Sequence, residues 1–269
     1  MRGPEVLSWR GHRIHVSDTG DGEPLLLVSG LGCNADMWAP FVQQFAERRI
    51  IRFDAPGTGR SSSPLFPVSI AALADLAATV LDLYDIISAD VVGFSYGGAV
   101  AQQFAYDHPD RIRRLVLAAT TCGVGSVAGS LHAMAAFANT LRFYSPSYFD
   151  HVAPALYGGV TARDANARAN EMIKCTTSPP SSYGYAMQLL GAAGWTSLPF
   201  LDRIRHETLV INGDDDPLVP VANAQILAQR IPRARLEIVE QAGHLFLCDD
   251  AANLAPRISR FVNALPRAN

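Results

Sequence analysis

The chain has 269 residues, 49% of them apolar and 17% charged, with a formal net charge of −3. That much apolar material can bury a large core without disulfide or metal staples, and the length suits one domain carrying an insertion. The near-neutral balance, without a Lys/Arg run, argues against nucleic acid or an anionic membrane surface as partner, and a neutral or apolar small molecule fits best.

The N-terminal residues Met1 to Arg10 lack the apolar core of a secretory signal. Two half-buried strands open the chain, 6–9 and 12–17, around an Arg10-Gly11 turn. Short apolar runs follow at 25–28, 50–53, 91–94, 115–118, 208–211 and 236–239, each bounded by Gly, Pro or Asp. Most lack two-residue alternation, as expected of strands buried on both faces of a parallel sheet. Helical periodicity lies between them at 70–84, with Ser69 as N-cap, and at 97–106, 222–230 and 253–264. The alternation predicts an α/β fold with right-handed crossovers.

One interval breaks the rhythm. No clear sheet strand appears between Ala119 and Thr208, a segment rich in aromatic residues from Phe137 to Trp195. So long a structureless loop does not suit a compact domain, and a helical cap explains it better. The expected organisation is a core of 1–121 and 204–269 with a cap of 122–203 inserted after the sixth strand. The uncharged stretch 116–141 is rich in Gly, Ser, Thr and Ala, and reads as strand plus lid rather than a membrane span. Cys33, Cys122, Cys175 and Cys248 are scattered without metal-type spacing. They read as free thiols in a reducing compartment, which makes cytoplasmic the expected location.

The strand at 91–94 runs into Gly93-Phe94-Ser95-Tyr96-Gly97, with a helix behind it. This is the G-x-S-x-G pattern in its strand–turn–helix setting. The sharp turn needs small residues two before and two after the serine, so that strand and helix can approach. Ser95 then stands at the head of a helix whose dipole favours developing negative charge.

A serine hydroxyl becomes a nucleophile when a base takes its proton and a carboxylate holds that base in the right tautomer. Of the seven histidines, His244 lies in Gly243-His244-Leu245-Phe246, after the last strand and at the sheet edge where Ser95 emerges. Leu245 and Phe246 can wall the site. The acid should follow the strand 208–211, where Asp214, Asp215 and Asp216 are adjacent. Asp216 is preferred because Pro217 biases it towards an extended backbone, with Asp214 and Asp215 as alternatives. The oxyanion donors are expected to be the backbone N–H groups of Tyr96 and of Leu31, in Ser29-Gly30-Leu31-Gly32. Cys33 has no local base and reads as packing. No cofactor or metal is expected.

These motifs resemble the α/β-hydrolase superfamily over nearly the whole chain, including Asp54-Ala55-Pro56-Gly57-Thr58-Gly59-Arg60-Ser61, similar to its D-x-P-G-x-G-x-S turn. The resemblance implies an α/β-hydrolase fold, a mostly parallel eight-stranded sheet flanked by helices. A more specific resemblance is to the intracellular depolymerases of medium-chain-length poly(3-hydroxyalkanoate). It rests on Ala101-Gln102-Gln103-Phe104-Ala105, Arg114-Leu115-Val116-Leu117-Ala118, Gly194-Trp195-Thr196-Ser197, Gly213-Asp214-Asp215-Asp216-Pro217-Leu218 and Gly243-His244-Leu245-Phe246-Leu247.

That family implies cofactor-free hydrolysis of ester bonds between 3-hydroxyacyl units at a granule surface. Its triad carries over onto Ser95, Asp216 and His244. Trp195 and Leu218, within the matching blocks, join Leu245 and Phe246 as expected substrate-binding residues. Two positions depart from the pattern: Ser29 replaces a common His, and Tyr96 an expected Trp. A medium-chain carboxylesterase or lipase is the alternative function, followed by a cofactor-free perhydrolase or C–C hydrolase. A ligand-binding receptor with vestigial turnover is the reading from another class. Haloalkane dehalogenases and epoxide hydrolases use an Asp nucleophile, which Ser95 argues against.

Overall fold

The apolar runs of the sequence pair side by side. In the computed structural model, which describes residues 5–264, they form β1 (Glu5–Trp9), β2 (His12–Thr19), β3 (Glu23–Val28), β4 (Arg48–Phe53), β5 (Ala89–Phe94), β6 (Ile112–Ala118), β7 (Glu207–Gly213) and β8 (Ala234–Val239). Residues 1–4 and 265–269, the outer ends of the expected core segments, lie outside the described residues; so does part of the stretch read for a missing signal.

The strands make one eight-stranded sheet in the order β1-β2-β4-β3-β5-β6-β7-β8. The β1–β2 and β2–β4 pairs are antiparallel and the rest parallel. Parallel pairing requires crossovers that cover both faces, and burial follows suit: every residue of β5 is buried. Alternate side chains divide between two cores. Leu26 and Val91 enter one, Leu25, Leu27 and Val92 the other. The opening hairpin instead alternates, with Ile14 and Val16 turned inward. Because β3 lies between β4 and β5, the connections diverge on either side of it, and the ends of β3 and β5 flank a crevice suited to a ligand.

On one face lie α2 (Ile70–Asp82), α3 (Tyr96–Asp107) and α9 (Val221–Arg230), with α2 capped by Ser69 as expected. On the other lie the short α1 (Ala39–Val42) and α10 (Phe246–Asp249), and α11 (Ala251–Val262). The last helix begins and ends two residues earlier than its periodicity suggested, because its first turn follows directly on α10.

Between β6 and β7 the chain forms α4 (Leu131–Ala138), α5 (Pro146–Tyr157), α6 (Gly159–Arg163), α7 (Ala165–Thr177) and α8 (Ser182–Ala192). Side-chain caps start four of them: Ser130, Ser145, Asp164 and Ser181 each accept from a backbone N–H in the first turn. The uncharged stretch 116–141 comprises the end of β6, a loop, α4 and the residues just after it. Among the described residues, no helix is long and apolar enough to cross a membrane.

The interior of these inserted helices is unlike the sheet. Arg142 is 2% exposed and donates to the carbonyls of Ala136, Phe137 and Asn139 and to the Tyr185 hydroxyl, at 2.7–3.1 Å. Its guanidinium also lies 4.2 Å from the Phe143 ring centre. One buried cation thus gathers the C-terminal end of α4 and the body of α8, with carbonyl dipoles and ring faces taking the place of a carboxylate.

Candidate active site

Ser95 leaves β5 with φ 53° and ψ −118°, a conformation costly for a residue bearing a Cβ. Surrounding bonds hold it there. Its N–H donates to Ala118 O at 2.8 Å, and its carbonyl accepts from Gly98 N at 2.8 Å and Thr120 Oγ1 at 2.7 Å. The flanking glycines are required by contact: a Cβ on Gly93 would lie 2.5 Å from Gly97 O, and one on Gly97 2.1 Å from Val28 O.

The structure brings Ser95, His244 and Asp216 together. His244 Nε2 is 3.1 Å from Ser95 Oγ, and His244 Nδ1 is 2.7 Å from Asp216 Oδ2. The other carboxylate oxygen accepts from the backbone N–H groups of Leu218 and Val219, at 2.9 and 2.8 Å. Such a carboxylate is an acceptor on every side, so the imidazole presents its proton at Nδ1 and leaves Nε2 to accept from the serine. Asp216 and His244 are 6% and 3% exposed, which shields the chain of bonds from competing water. The Phe94 ring, 5.2 Å away centre to centre, backs the imidazole.

The neighbouring aspartates face elsewhere. Asp214 is exposed, and Asp215 Oδ2 accepts from Gly159 N at 3.0 Å and Arg163 Nη1 at 2.6 Å. Among the described residues, the backbone N–H groups of Leu31 and Tyr96 have no protein acceptor. The next N–H in the loop, that of Gly32, donates to Gln188 Oε1 of α8 at 2.9 Å. Ser29 Oγ accepts from Trp38 Nε1 at 3.0 Å and is thereby a packing partner. The Tyr96 phenol is buried without a partner among the described residues, and burial pushes it well above the usual tyrosine range.

A cavity of about 320 Å³ opens beside the Gly32-Cys33 loop and Leu245. Met37, Phe143 and Ile173 give it an apolar wall, while Glu171 and Lys174, paired at 2.9 Å, give it a polar edge. Of the four expected substrate-binding residues, Leu245 lines this cavity and the other three do not. Trp195 donates its indole N–H to Gln103 Oε1 at 2.8 Å and packs against the back of α3, away from the cavity. Leu218 serves through its backbone N–H on Asp216, with its side chain in the core. Phe246 is likewise a core residue, 2% exposed. The matching blocks point to Trp195 and Leu218, and the place beside His244 points to Phe246, whereas an indole N–H or a large apolar side chain must first find a buried partner.

Sequence reasoning missed the wall residues Met37, Phe143 and Ile173, and it missed that Cys33, Cys175 and Cys248 share one cavity. Four-residue spacing on α7 between Glu171 and Cys175 was the available signal. Burial pushes the Cys33 thiol up to about 12 and the Cys175 and Cys248 thiols well above their usual value. Near the cavity Asp249 is also pushed up, to about 6, by burial and then by Glu171. Among the described residues, no group of three His, Cys, Asp or Glu could hold a metal ion.

Comparison with known proteins follows the same outline. Residues 25–257 match the Alpha/beta hydrolase family. The chain is 41% identical over 240 residues to a poly(3-hydroxyalkanoate) depolymerase of Ectopseudomonas oleovorans, covering 89% of this chain and 84% of that protein. It is 30% identical over 275 residues to a 2-hydroxymuconate semialdehyde hydrolase of Pseudomonas sp. strain CF600, covering 97% and 93%. Among solved structures, Est816, described as an N-acyl homoserine lactone degrading enzyme, superposes with a TM-score of 0.82 at 26% identity, over 96% of this chain and 100% of that one.

Proposed function

The chain belongs to the alpha/beta hydrolase family, and on that footing we propose that it cleaves carboxylic esters of medium-chain 3-hydroxyalkanoates, as polymer or oligomer, through Ser95, His244 and Asp216. The observation that carries this is the unbroken chain from Ser95 Oγ through the imidazole to Asp216, at 3.1 and 2.7 Å.

In this scheme Ser95 Oγ attacks the ester carbonyl as His244 Nε2 takes its proton. The N–H groups of Leu31 and Tyr96 receive the oxyanion, each contributing roughly 3–4 kcal/mol to the transition state. The imidazolium returns the proton to the departing alcohol, leaving an acyl-enzyme. Water then repeats the sequence on that ester, with His244 as base, and frees Ser95. Asp216 remains ionised and orients the ring throughout. Every step uses side chains or backbone of this chain, without a cofactor.

The apolar wall of Met37, Phe143, Ile173 and Leu245 suits an aliphatic acyl chain, and the depolymerase relative supports the hydroxyacyl class. We assign residues 122–203 as the cap over a core of 1–121 and 204–269, because the helices between β6 and β7 supply Phe143, Ile173 and the Glu171–Lys174 pair. A cytoplasmic location, with adsorption to a polyester granule, completes the proposal.

The test is a panel of acyl esters from two to twelve carbons, run beside clearing of a medium-chain polyhydroxyalkanoate suspension. Preference for medium chains together with clearing is the expected result. Short-ester turnover without clearing rejects the polymer in favour of an ordinary carboxylesterase.

A further inference from the structure

Asp216 and His244 lie on separate loops, after β7 and β8, and one short peptide of the inserted helices touches both. At the junction of α5 and α6, Tyr157 O accepts from His244 N at 2.7 Å, and Gly159 N donates to Asp215 Oδ2 at 3.0 Å. Gly158 and Gly159 have φ of 62° and 53°. A Cβ on Gly158 would lie 2.0 Å from Asp215 O, and one on Gly159 2.1 Å from Gly243 N. One turn further on, Arg163 spans the gap: Nη1 donates to Asp215 Oδ2 at 2.6 Å, and Nη2 donates to Gln241 O.

We propose that this junction, with Arg163 as its bridge, is a positioning clamp that keeps the acid loop and the base loop in register, so that the inserted helices govern the alignment of the triad as well as the shape of the cavity. The inference rests on Ser95, His244 and Asp216 acting as proposed above. Arg163 and Asp215 touch no reacting atom; they act through Asp216 and His244. Their side chains are 48% and 49% exposed, and an ion pair so wetted contributes little to global stability. Alignment is far more sensitive, since a displacement near 1 Å at a catalytic group can cost about a hundredfold in rate. The clamp therefore predicts a loss of rate without a matching loss of stability.

The experiment compares the full-length chain with Arg163→Ala, Arg163→Lys, Asp215→Asn and, as control, Arg168→Ala. Arg168 pairs with Asp150 at 2.7 Å within the same inserted helices and reaches neither loop. The readouts are the rate of Ser95 labelling by a fluorophosphonate, kcat and KM on a medium-chain ester, thermal melting, and the proton resonance of His244 Nδ1. Arg163→Ala is expected to label roughly tenfold more slowly, lower kcat to the same extent, leave KM within about twofold and broaden the imidazole proton signal. Its melting temperature should stay within about 2 °C of the parent. Arg163→Lys can reach Asp215 but lacks the planar fork that also reaches Gln241, and should fall between the two. Asp215→Asn keeps an acceptor for Gly159 and should lose less than Arg163→Ala. Arg168→Ala should match the parent.

Labelling of Arg163→Ala at the parental rate with an unmoved proton resonance overturns the clamp while leaving the proposed hydrolase intact. An equal loss in Arg168→Ala also overturns it. A parent chain that fails to label at all takes the hydrolase and the clamp down together.

Discussion

The sheet and the helices inserted between β6 and β7 are stabilised by different means. At the sheet centre Leu25, Leu26, Leu27, Val91 and Val92 are fully buried, and the strands are joined by ladder bonds that any residue supplies. Inside the insertion a guanidinium caps three carbonyls, and a carboxylate is buried beside an ammonium. Ser95, the proposed nucleophile, belongs to the first region, fixed by steric exclusion around Gly93 and Gly97. The insertion supplies part of the cavity wall, through Phe143, Ile173 and Cys175, and partners of the loops that carry Asp216 and His244. A protein built this way can change its substrate through directional contacts in the insertion while the serine stays where the sheet holds it.

Five substitutions would break or sharpen that contrast. The largest effect belongs to the sheet-borne chemistry. Ser95→Ala and Asp216→Asn should each lower kcat by about ten-thousandfold with unchanged circular dichroism, since either removes one member of a group that acts as a unit. Near-parental activity in Asp216→Asn would move the acid to another residue. Next is Arg142→Met. It strips a charged donor from three carbonyls and the Tyr185 hydroxyl, although Ala136 O keeps Asn139 N and Phe137 O keeps the Tyr185 hydroxyl, and should lower stability by about 2–4 kcal/mol in denaturant titration. Because Phe143 packs on that guanidinium, KM should rise too; a loss of stability with unchanged KM would separate the insertion from the acyl pocket.

Asp249→Asn should have a smaller effect of opposite sign. The folded chain keeps a proton on Asp249 up to about pH 6, whereas the unfolded chain releases it near the ordinary value of 3.8. Stability from this group therefore falls as pH rises through that window and stays reduced above it. The amide variant should melt higher at pH 7, by the equivalent of about 1–2 kcal/mol, and the difference should vanish below about pH 4. Persistence at low pH would assign the gain to another cause. Trp195→Phe comes last, with about 1 kcal/mol lost with the Gln103 bond and no change in KM. A marked rise in KM would return the indole to the substrate site.

The two regions also differed in how far their sequence could be read. The runs at 25–28 and 91–94 are apolar throughout because both sheet faces are covered, and that pattern survives without knowledge of neighbours. The turn at Ser95 is legible because its glycines answer a local steric demand. Asp216 could be preferred over Asp214 and Asp215 from Pro217 alone, whereas the binding of Asp215 to Gly159 and Arg163 involves a partner more than fifty residues away. The place of Trp195 was illegible for the same reason, as its partner Gln103 is fixed only when α3 and the insertion meet. Arg142 was invisible: a lone arginine in an aromatic segment gives no sign that it will be buried.

The thiols around the cavity have a practical side. Cys33, Cys175 and Cys248 are held protonated by their surroundings, and a protonated sulfur is a poor match for iodoacetamide or maleimide. An electrophile entering the cavity should therefore discriminate by chemistry rather than proximity, passing three sulfur atoms that alkylate slowly. Probes aimed at this site can be designed around phosphorus or activated acyl groups, and routine alkylation during purification should leave the cavity open.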